Sequence, residues 1–124
     1  MIRCGTDIIE VERIKDGIEN IGDKFLNRIY TEKEIEYCNS KKVQKYQSFA
    51  GRFAAKEAIF KALTDVIENK YKIEWKDFEI VNNKEGKPIV IINNEYIKNR
   101  IKDIDISISH CKSYAQAVCI AEIM

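Results

Sequence analysis

Residues 43–68 constrain the fold more than any other segment, because they hold the longest helical pattern in the chain. The stretch contains no proline and a single glycine, Gly51, so nothing in it is expected to stop a helix. Phe49, Phe53 and Phe60 recur at helical spacing and form one apolar line. A helix with such a line must bury it, so we expect the rest of the domain to pack against it.

The segments on either side of this helix predict a mixed domain. Before it we expect a strand at Ile2–Val11, a helix at 10–22 that ends at Gly22, a short helical piece at 24–30, and a helix that opens with the capping-box pair Thr31 and Glu34. After it we expect strands at 72–81 and 87–94 joined by a turn at 82–87, a short helix at 94–102, and strands at 103–109 and 114–123, the last one buried on both faces. The order β-α-α-α-β-β-α-β-β predicts an α+β fold, with the long helix packed on a largely antiparallel sheet.

The length and charge of the chain narrow the class of protein. A chain of 124 residues is expected to form one domain over residues 1–124. Apolar residues at 45% and charged residues at 33% are typical of a globular domain and argue against disorder. A net charge of +1 gives no general case for nucleic-acid binding, and no apolar run is long enough to cross a membrane.

The cysteines and the single histidine argue against a zinc site. Cys4, Cys38, Cys111 and Cys119 form no CxxC pair. We interpret them as reduced, mostly buried thiols of a cytoplasmic protein, and the N-terminus shows no signal-peptide pattern.

Two carboxylates occupy positions where a carboxylate is costly. Glu57 lies on the apolar line of the long helix, and Asp7 lies in an Ile-rich first strand. A buried carboxylate must protonate, pair or bind a cation. Glu57 has a possible ion-pair partner in Lys61, four residues on, and Asp7 would also suit a strand-end turn. The alternative is that both meet on one Mg²⁺, which prefers carboxylate, water and phosphate oxygens.

Basic residues accompany Glu57 on the helix. Arg52 and Lys56 lie four residues apart, and Lys61 lies one turn after Glu57. They form either a solvated face or a site that neutralises phosphate charge. His110, taken alone, is more often a capping or core residue than a catalyst. No G-x-S-x-G motif or P-loop is present.

Four segments, in this order, resemble one family over essentially the whole chain. They are GTDIIEVERI near the N-terminus, FAGRFAAKEAIFKAL in the long helix, NKEGKP in the hairpin and SISH near the C-terminus. The chain resembles the holo-(acyl-carrier-protein) synthases, the short type of 4′-phosphopantetheinyl transferase, and this resemblance implies their fold.

The resemblance also implies roles for individual residues. Asp7 and Glu57 match the positions that bind Mg²⁺, and Lys61 matches the lysine that contacts the coenzyme A phosphates and assists the leaving group. His110 matches a histidine near the 3′-phosphate. The resemblance implies that Arg52 and Lys56 help to bind the nucleotide, and that Gly86, Lys87 and Pro88 form a turn beside the adenine. It also implies that Arg13, Lys24 and Arg28 dock an acidic acyl carrier protein.

The implied reaction is phosphoryl transfer. A serine hydroxyl of the carrier protein attacks the β-phosphate of coenzyme A, the 4′-phosphopantetheine arm moves to the serine, and 3′,5′-ADP leaves. Catalysis then rests on Glu57 and Lys61, with the serine proton going to Glu57 or to a water on the metal. The family is usually homotrimeric, with the active site at the subunit boundary. Two other functions remain open on the residues alone: a metal-dependent nucleotide diphosphate hydrolase, and a non-catalytic domain whose Glu57–Lys61 pair is structural.

Overall fold

The computed structural model describes residues 1–68 and 73–124. The helices are α1 (Val11–Ile21), α2 (Asp23–Ile29), α3 (Glu32–Ser40), α4 (Lys45–Ala62) and α5 (Glu95–Lys98), and the strands are β1 (Ile2–Glu10), β2 (Phe78–Asn82), β3 (Pro88–Ile92), β4 (Ile101–His110) and β5 (Tyr114–Ile123). Short 3₁₀ turns precede α4 at Lys42–Gln44 and β2 at Trp75–Asp77. Between β1 and β2 the described residues form four α-helices; all four helical segments were predicted, although the predicted order of elements counts only three.

The strands form two antiparallel sheets. β1, β5 and β4 make a three-stranded sheet in the order β1-β5-β4, and β2 pairs with β3 in a separate hairpin. In the first sheet Asp7 stands opposite Ala117, in the middle of the β1–β5 ladder. The α+β prediction is confirmed, and so is the hairpin around residues 82–87.

The long helix α4 lies across the inner face of the three-stranded sheet. Small residues make this contact possible: α4 contributes Ala54, Ala58 and Ala62, and β5 contributes Ala117 and Ala121, all buried. The closest approach is at Gly5 of β1. A Cβ atom there would lie 2.1 Å from the carbonyl oxygen of Ala58, so α4 is seated directly on the β1 backbone.

The N-terminal helices follow the predicted signals. α1 ends at Gly22, which adopts a φ of 79° that favours glycine. α3 begins with the expected capping box: Thr31 Oγ1 accepts the Glu34 N–H, and the Glu34 carboxylate accepts the Thr31 N–H. Val11, Ile14 and Ile18 of α1 pack in a second core cluster beside Phe49.

Three predictions about individual elements are wrong. The long helix ends at Ala62 rather than continuing to residue 68. The segment before the hairpin is not a strand from residue 72: Trp75–Asp77 form a 3₁₀ turn and β2 begins at Phe78, while Lys72 itself lies outside the described residues. β5 is buried on one face only, because Val118 and Ile120 are exposed while Ala117 and Cys119 face α4.

None of the helices in the described ranges has the length and apolar character needed to cross a membrane. The four cysteines are free thiols; Cys38 and Cys119 are buried, whereas Cys4 and Cys111 are exposed, so only half of the set fits the predicted burial.

Candidate active site

Asp7 projects from the inner face of β1 toward α4. Strand residues alternate between faces, so Asp7 shares its face with Gly5, where α4 rests on β1. The carboxylate is mostly buried, with its side chain 15% exposed. Because Asp7 sits mid-strand in a regular ladder, it is not the strand-end turn residue that its composition also allowed.

Lys61 reaches Asp7 from the last turn of α4. Its ammonium Nζ lies 3.1 Å from Asp7 Oδ1 and donates to the Thr6 carbonyl oxygen at 3.0 Å. Half of the Lys61 side chain remains exposed, so the ammonium is at the mouth of the site rather than inside the core. No ion pair joins Lys61 to Glu57 in the part of the chain that the structure describes.

The charges of Asp7 and Lys61 both act on the Glu57 carboxyl, which places Glu57 near these two residues. Burial raises the pKa of the Glu57 carboxyl above its usual value, the nearby Asp7 carboxylate raises it further, and Lys61 partly opposes both. The two acids therefore lie close enough to repel each other, and the Lys61 ammonium offsets only part of this repulsion. Such a pair favours a proton or an added cation.

The chemistry of this site fits a hexacoordinate divalent cation such as Mg²⁺. Within residues 1–68 and 73–124 no group of three or more potential metal-ligating side chains occurs, so the chain offers two carboxylates and no closed cage. Mg²⁺ typically takes one or two carboxylates and completes its coordination with water and substrate phosphate. Asp7 and Glu57 meet that description.

A second region, a cavity of about 260 Å³, opens at the N-terminal half of α4. Its lining brings together four of the predicted ligand-binding residues, namely Arg52, Gly86, Pro88 and His110. Arg52 comes from α4, Gly86 and Pro88 come from the hairpin, and His110 ends β4. Residues from three segments that are distant in sequence therefore line one cavity.

Arg52 is the buried cation of this cavity. Its guanidinium is 4.2 Å from the ring centroid of Tyr37, and its Nη2 donates to Asn82 Oδ1 at 2.7 Å. Among the described residues, Arg52 Nε is the one buried side-chain nitrogen or oxygen that has no hydrogen-bond partner. An arginine held in this way presents free donors to an anion.

Lys87 and Lys56 do not line this cavity. The ammonium of Lys87 pairs with Asp105 on β4, Nζ to Oδ1 3.0 Å, on an exposed surface. Lys56 is fully buried and donates to Glu34 Oε1 at 2.7 Å, to the Ile29 carbonyl oxygen and to the Trp75 carbonyl oxygen. Burial lowers the pKa of Lys56, with the Glu34 carboxylate opposing this effect.

The nucleotide-binding role predicted for Lys56 is therefore corrected. An ammonium has three N–H donors, and all three have protein acceptors. Lys56 ties the start of α3, the end of α2 and the Trp75 turn together, and we assign it a structural role.

The two regions lie on opposite sides of α4. Arg52 and Lys61 are nine residues apart, which at 3.6 residues per turn places them about 180° apart around the helix. Glu57, five residues after Arg52, lies about 140° away. We call the cavity that contains Arg52 the guanidinium cavity, and the region of Asp7 and Glu57 the carboxylate site. In one copy of the chain these two regions therefore face different directions.

The residues predicted to bind a protein partner are exposed. Arg13 lies on α1, and Lys24 and Arg28 lie on α2. Lys24 and Arg28 also border a groove of about 520 Å³ whose floor includes Phe25 and Trp75. The region is basic at its edge and apolar inside.

Two cavity residues, Tyr37 and Asn82, were not predicted from the sequence. Tyr37 lies in α3, whose capping box marks only the start of the helix, so nothing in the sequence marks Tyr37 as a cavity residue. Asn82 stands at the start of the turn sequence NNKEGK, where asparagine is expected for its turn chemistry alone. Its contact with Arg52 arises only from tertiary packing.

Comparison with known proteins shows the family to which this chain belongs. Residues 3–119 match the family model of the 4′-phosphopantetheinyl transferase superfamily. The chain is 45% identical over 121 residues to a holo-(acyl-carrier-protein) synthase of Chlamydia pneumoniae, covering 98% of this chain and 97% of that protein.

Solved structures of two such synthases are also similar. The Helicobacter pylori enzyme in complex with coenzyme A is 31% identical with a TM-score of 0.82, covering 98% of this chain and 100% of that one. The Bacillus anthracis enzyme in complex with CoA (3′,5′-ADP) is 37% identical with a TM-score of 0.76, covering 97% and 95%. The chain belongs to the 4′-phosphopantetheinyl transferase superfamily.

Proposed function

We propose that this protein is a holo-(acyl-carrier-protein) synthase. It transfers the 4′-phosphopantetheine group of coenzyme A to a serine hydroxyl of an apo-acyl carrier protein and releases 3′,5′-ADP. The observation that carries this proposal is the contact of Lys61 with Asp7 where α4 crosses β1, with Glu57 near enough for the Asp7 charge to raise its pKa, in a chain whose relatives carry this name. The transfer breaks the bond between the β-phosphorus and the bridging oxygen, which leaves with 3′,5′-ADP, and it forms a bond between the serine Oγ and the β-phosphorus.

The guanidinium cavity is the proposed site of the nucleotide end of coenzyme A. Arg52 supplies a fixed, always-charged partner for phosphate, and His110 adds a second donor from the end of β4. Gly86 and Pro88 form the wall from the hairpin turn. Lys87 reaches the ligand only if it leaves Asp105.

The carboxylate site is the proposed reaction centre. Asp7 and Glu57 would hold Mg²⁺, which when bound neutralises charge on the diphosphate oxygens. Lys61 already points into this site and would oppose the negative charge that develops on the departing 3′,5′-ADP. The serine proton would go either to the Glu57 carboxylate or to a water on the metal.

The basic edge of α1 and α2 is the proposed docking surface for the carrier protein. Arg13, Lys24 and Arg28 are exposed and can face an acidic partner, which favours fast and salt-sensitive association. The groove beside Phe25 and Trp75 gives that partner an apolar contact within the same surface.

We further propose that the protein works as a homotrimer with each active site shared between two copies. The outer face of the three-stranded sheet exposes Ile8, Val118 and Ile120 at 63%, 37% and 53%, which favours association. The opposite directions of Arg52 and Glu57 on α4 also favour a site in which one copy supplies the cavity and its neighbour supplies the carboxylates.

The shared site has a direct test. Chains carrying Arg52→Met and chains carrying Glu57→Gln should each be inactive, and co-expressed mixtures should regain a substantial fraction of wild-type activity. Light scattering of the wild type reports the oligomer. A trimer without complementation would argue against sharing, and a monomer that retains full activity would exclude it.

The decisive experiment for the function is mass spectrometry of an apo-carrier protein incubated with this protein, coenzyme A and Mg²⁺. We expect the carrier protein to gain one phosphopantetheine group. Release of 3′,5′-ADP without any carrier protein would instead identify a diphosphate hydrolase, and failure to bind coenzyme A at millimolar concentration would indicate a non-catalytic domain. The four free cysteines are consistent with a reducing cytoplasm as the site of this reaction.

A further inference from the structure

Arg52 is almost fully buried, yet most of its hydrogen-bonding capacity is unused. The residue is 5% exposed and lies on the ring of Tyr37. In the described ranges its side chain makes one hydrogen bond, from Nη2 to Asn82 Oδ1, and Nε has none. A guanidinium carries five N–H donors, so its orientation in the cavity depends on very few contacts.

Asn82 supplies that contact and a second one at the same time. Its Oδ1 accepts from Arg52 Nη2 at 2.7 Å, and its Nδ2 donates to the Gly86 carbonyl oxygen at 2.9 Å. Both Arg52 and Gly86 line the cavity, one from α4 and one from the hairpin turn. One amide therefore ties the two walls of the cavity together.

The amide of Asn82 matches both partners. A guanidinium only donates and a carbonyl only accepts, so the bridging side chain must both accept and donate a hydrogen bond, which the amide does with its Oδ1 and its Nδ2. Aspartate of the same length would keep the acceptor and lose the donor. The two partners also fix which end of the Asn82 amide is oxygen.

The turn that Asn82 anchors has a defined shape of its own. Asn83 Oδ1 accepts the N–H groups of Glu85 and Lys87, and Gly86 adopts a φ of 84°. The bond from Asn82 to Gly86 closes this turn onto the strand, and the bond from Arg52 to Asn82 joins the hairpin to α4.

We propose that Asn82 is a positioning residue for the nucleotide end of coenzyme A. This inference rests on the proposed function. Asn82 orients the Arg52 guanidinium toward the ligand and holds the Gly86 wall against it, without touching the reacting phosphorus. Its loss should weaken coenzyme binding and leave the chemical step intact.

The test compares Asn82→Ala and Asn82→Asp with Glu85→Ala, a matched control at the exposed tip of the same turn. Titration calorimetry with 3′,5′-ADP should show about tenfold weaker binding for Asn82→Ala, the expected effect of losing a hydrogen bond to a charged group. Asn82→Asp should weaken binding at least as much, because its carboxylate neutralises Arg52 and cannot donate to Gly86. Glu85→Ala should bind like the wild type.

Two further readouts separate positioning from a general loss of structure. In steady-state assays Asn82→Ala should raise KM for coenzyme A about tenfold, with kcat and KM for the carrier protein within twofold of wild type. In an Arg52→Met background, Asn82→Ala should change 3′,5′-ADP affinity less than twofold, because its effect acts through Arg52.

The inference is overturned if Asn82→Ala binds 3′,5′-ADP as tightly as the wild type, or if it weakens binding equally with and without Arg52. A wild-type protein that binds neither coenzyme A nor 3′,5′-ADP would overturn the proposed function instead. The two failures are therefore distinguishable.

Discussion

The ammonium of Lys61 lies 3.1 Å from the Asp7 carboxylate, although Lys61 is four residues from Glu57 on the same helix. The local i,i+4 pair is thus replaced by a tertiary one that joins α4 to β1. Lys61 pairs with Asp7 because α4 packs closely against Gly5 of β1. This packing brings the last turn of the helix over the face of the strand that carries Asp7. In the structure, Lys61 provides the positive charge that Asp7 contacts.

Replacing Lys61 by methionine tests this arrangement. The variant keeps the apolar stem and removes the ammonium that competes with a metal for Asp7. We expect Mn²⁺, used as a spectroscopic probe without coenzyme A, to bind about two- to fivefold more tightly, as expected for an exposed ion pair. Transfer should fall about 100-fold in kcat, because the departing 3′,5′-ADP loses its cation.

The control for this variant is Lys98→Met, which removes an exposed ammonium on α5. It should leave both metal binding and kcat unchanged. Weaker Mn²⁺ binding in Lys61→Met would contradict the competition between Lys61 and the metal.

Replacing Glu57 by glutamine should raise the stability of the metal-free protein at high pH while it lowers transfer activity. The pKa of Glu57 is raised in the folded protein, so the fold favours the protonated carboxyl. Ionising this group therefore lowers stability as the pH rises through its raised pKa. We expect metal-free Glu57→Gln to melt at a temperature equal to wild type at about pH 4 and above wild type at about pH 8.

Addition of Mg²⁺ should reverse this order at the higher pH, because the wild type binds the ion and the variant does not. Activity of Glu57→Gln should drop by at least about 100-fold. Scanning calorimetry of both proteins, once with EDTA and once with Mg²⁺, measures the change in the order of their melting temperatures. A wild type whose melting temperature ignores Mg²⁺ would argue against a metal at this site.

The sequence identifies the two carboxylates of the candidate site, but it does not show which side chains pack around the basic residues. A carboxylate on an apolar helical line and another inside an apolar strand are each costly, and that cost was sufficient to mark Glu57 and Asp7. Lys56 was misassigned because it shares a helix face with Arg52, and only the fold reveals that Glu34 lies opposite its ammonium.

The burial of β5 was misjudged for a related reason. The sequence of β5 is apolar on both faces, so both faces were expected to be buried. The sequence does not show which other element covers each face. The face against α4 uses alanine and Cys119, because the helix approaches closely there, while the larger Val118 and Ile120 point outward. Similarly, the strand predicted at 72–81 is shortened because Asp77 accepts the Glu74 N–H and closes a turn around Trp75.

Gly5→Ala tests the contact that positions the site. The added Cβ would lie 2.1 Å from the Ala58 oxygen and 2.7 Å from the Ala62 nitrogen, both backbone atoms that cannot rotate away. We expect the free energy of unfolding to fall by about 3 kcal/mol and transfer activity to fall with it, because α4 must move off β1. Cys4→Ala, at the exposed neighbouring position, should change stability by less than about 0.5 kcal/mol. Urea denaturation that places Gly5→Ala within the range of Cys4→Ala would contradict this packing.

Lys56→Met tests the structural role assigned to the buried pair. Removing the ammonium leaves the Glu34 carboxylate buried without its cation, and we expect a loss of about 3 kcal/mol in the free energy of unfolding. Affinity for coenzyme A, measured by calorimetry at a temperature where the variant is folded, should match the wild type. Lys76→Met, an exposed neighbour of the same 3₁₀ turn, serves as the control and should be neutral. A stable Lys56→Met variant with weakened coenzyme binding would restore the ligand role that the structure argues against.

Arg13→Glu tests the docking surface on α1. Arg13 is exposed and makes no contact with the guanidinium cavity, so reversing its charge should act on the protein partner alone. We expect KM for the carrier protein to rise about tenfold at low ionic strength and KM for coenzyme A to stay within twofold of wild type. The effect should shrink as salt is raised, because exposed charges are screened within about 10 Å at 0.1 M. Lys98→Glu makes the same charge change on α5 and should leave both constants unaltered. An unchanged KM for the carrier protein in Arg13→Glu would remove this residue from the interface and turn attention to Lys24 and Arg28.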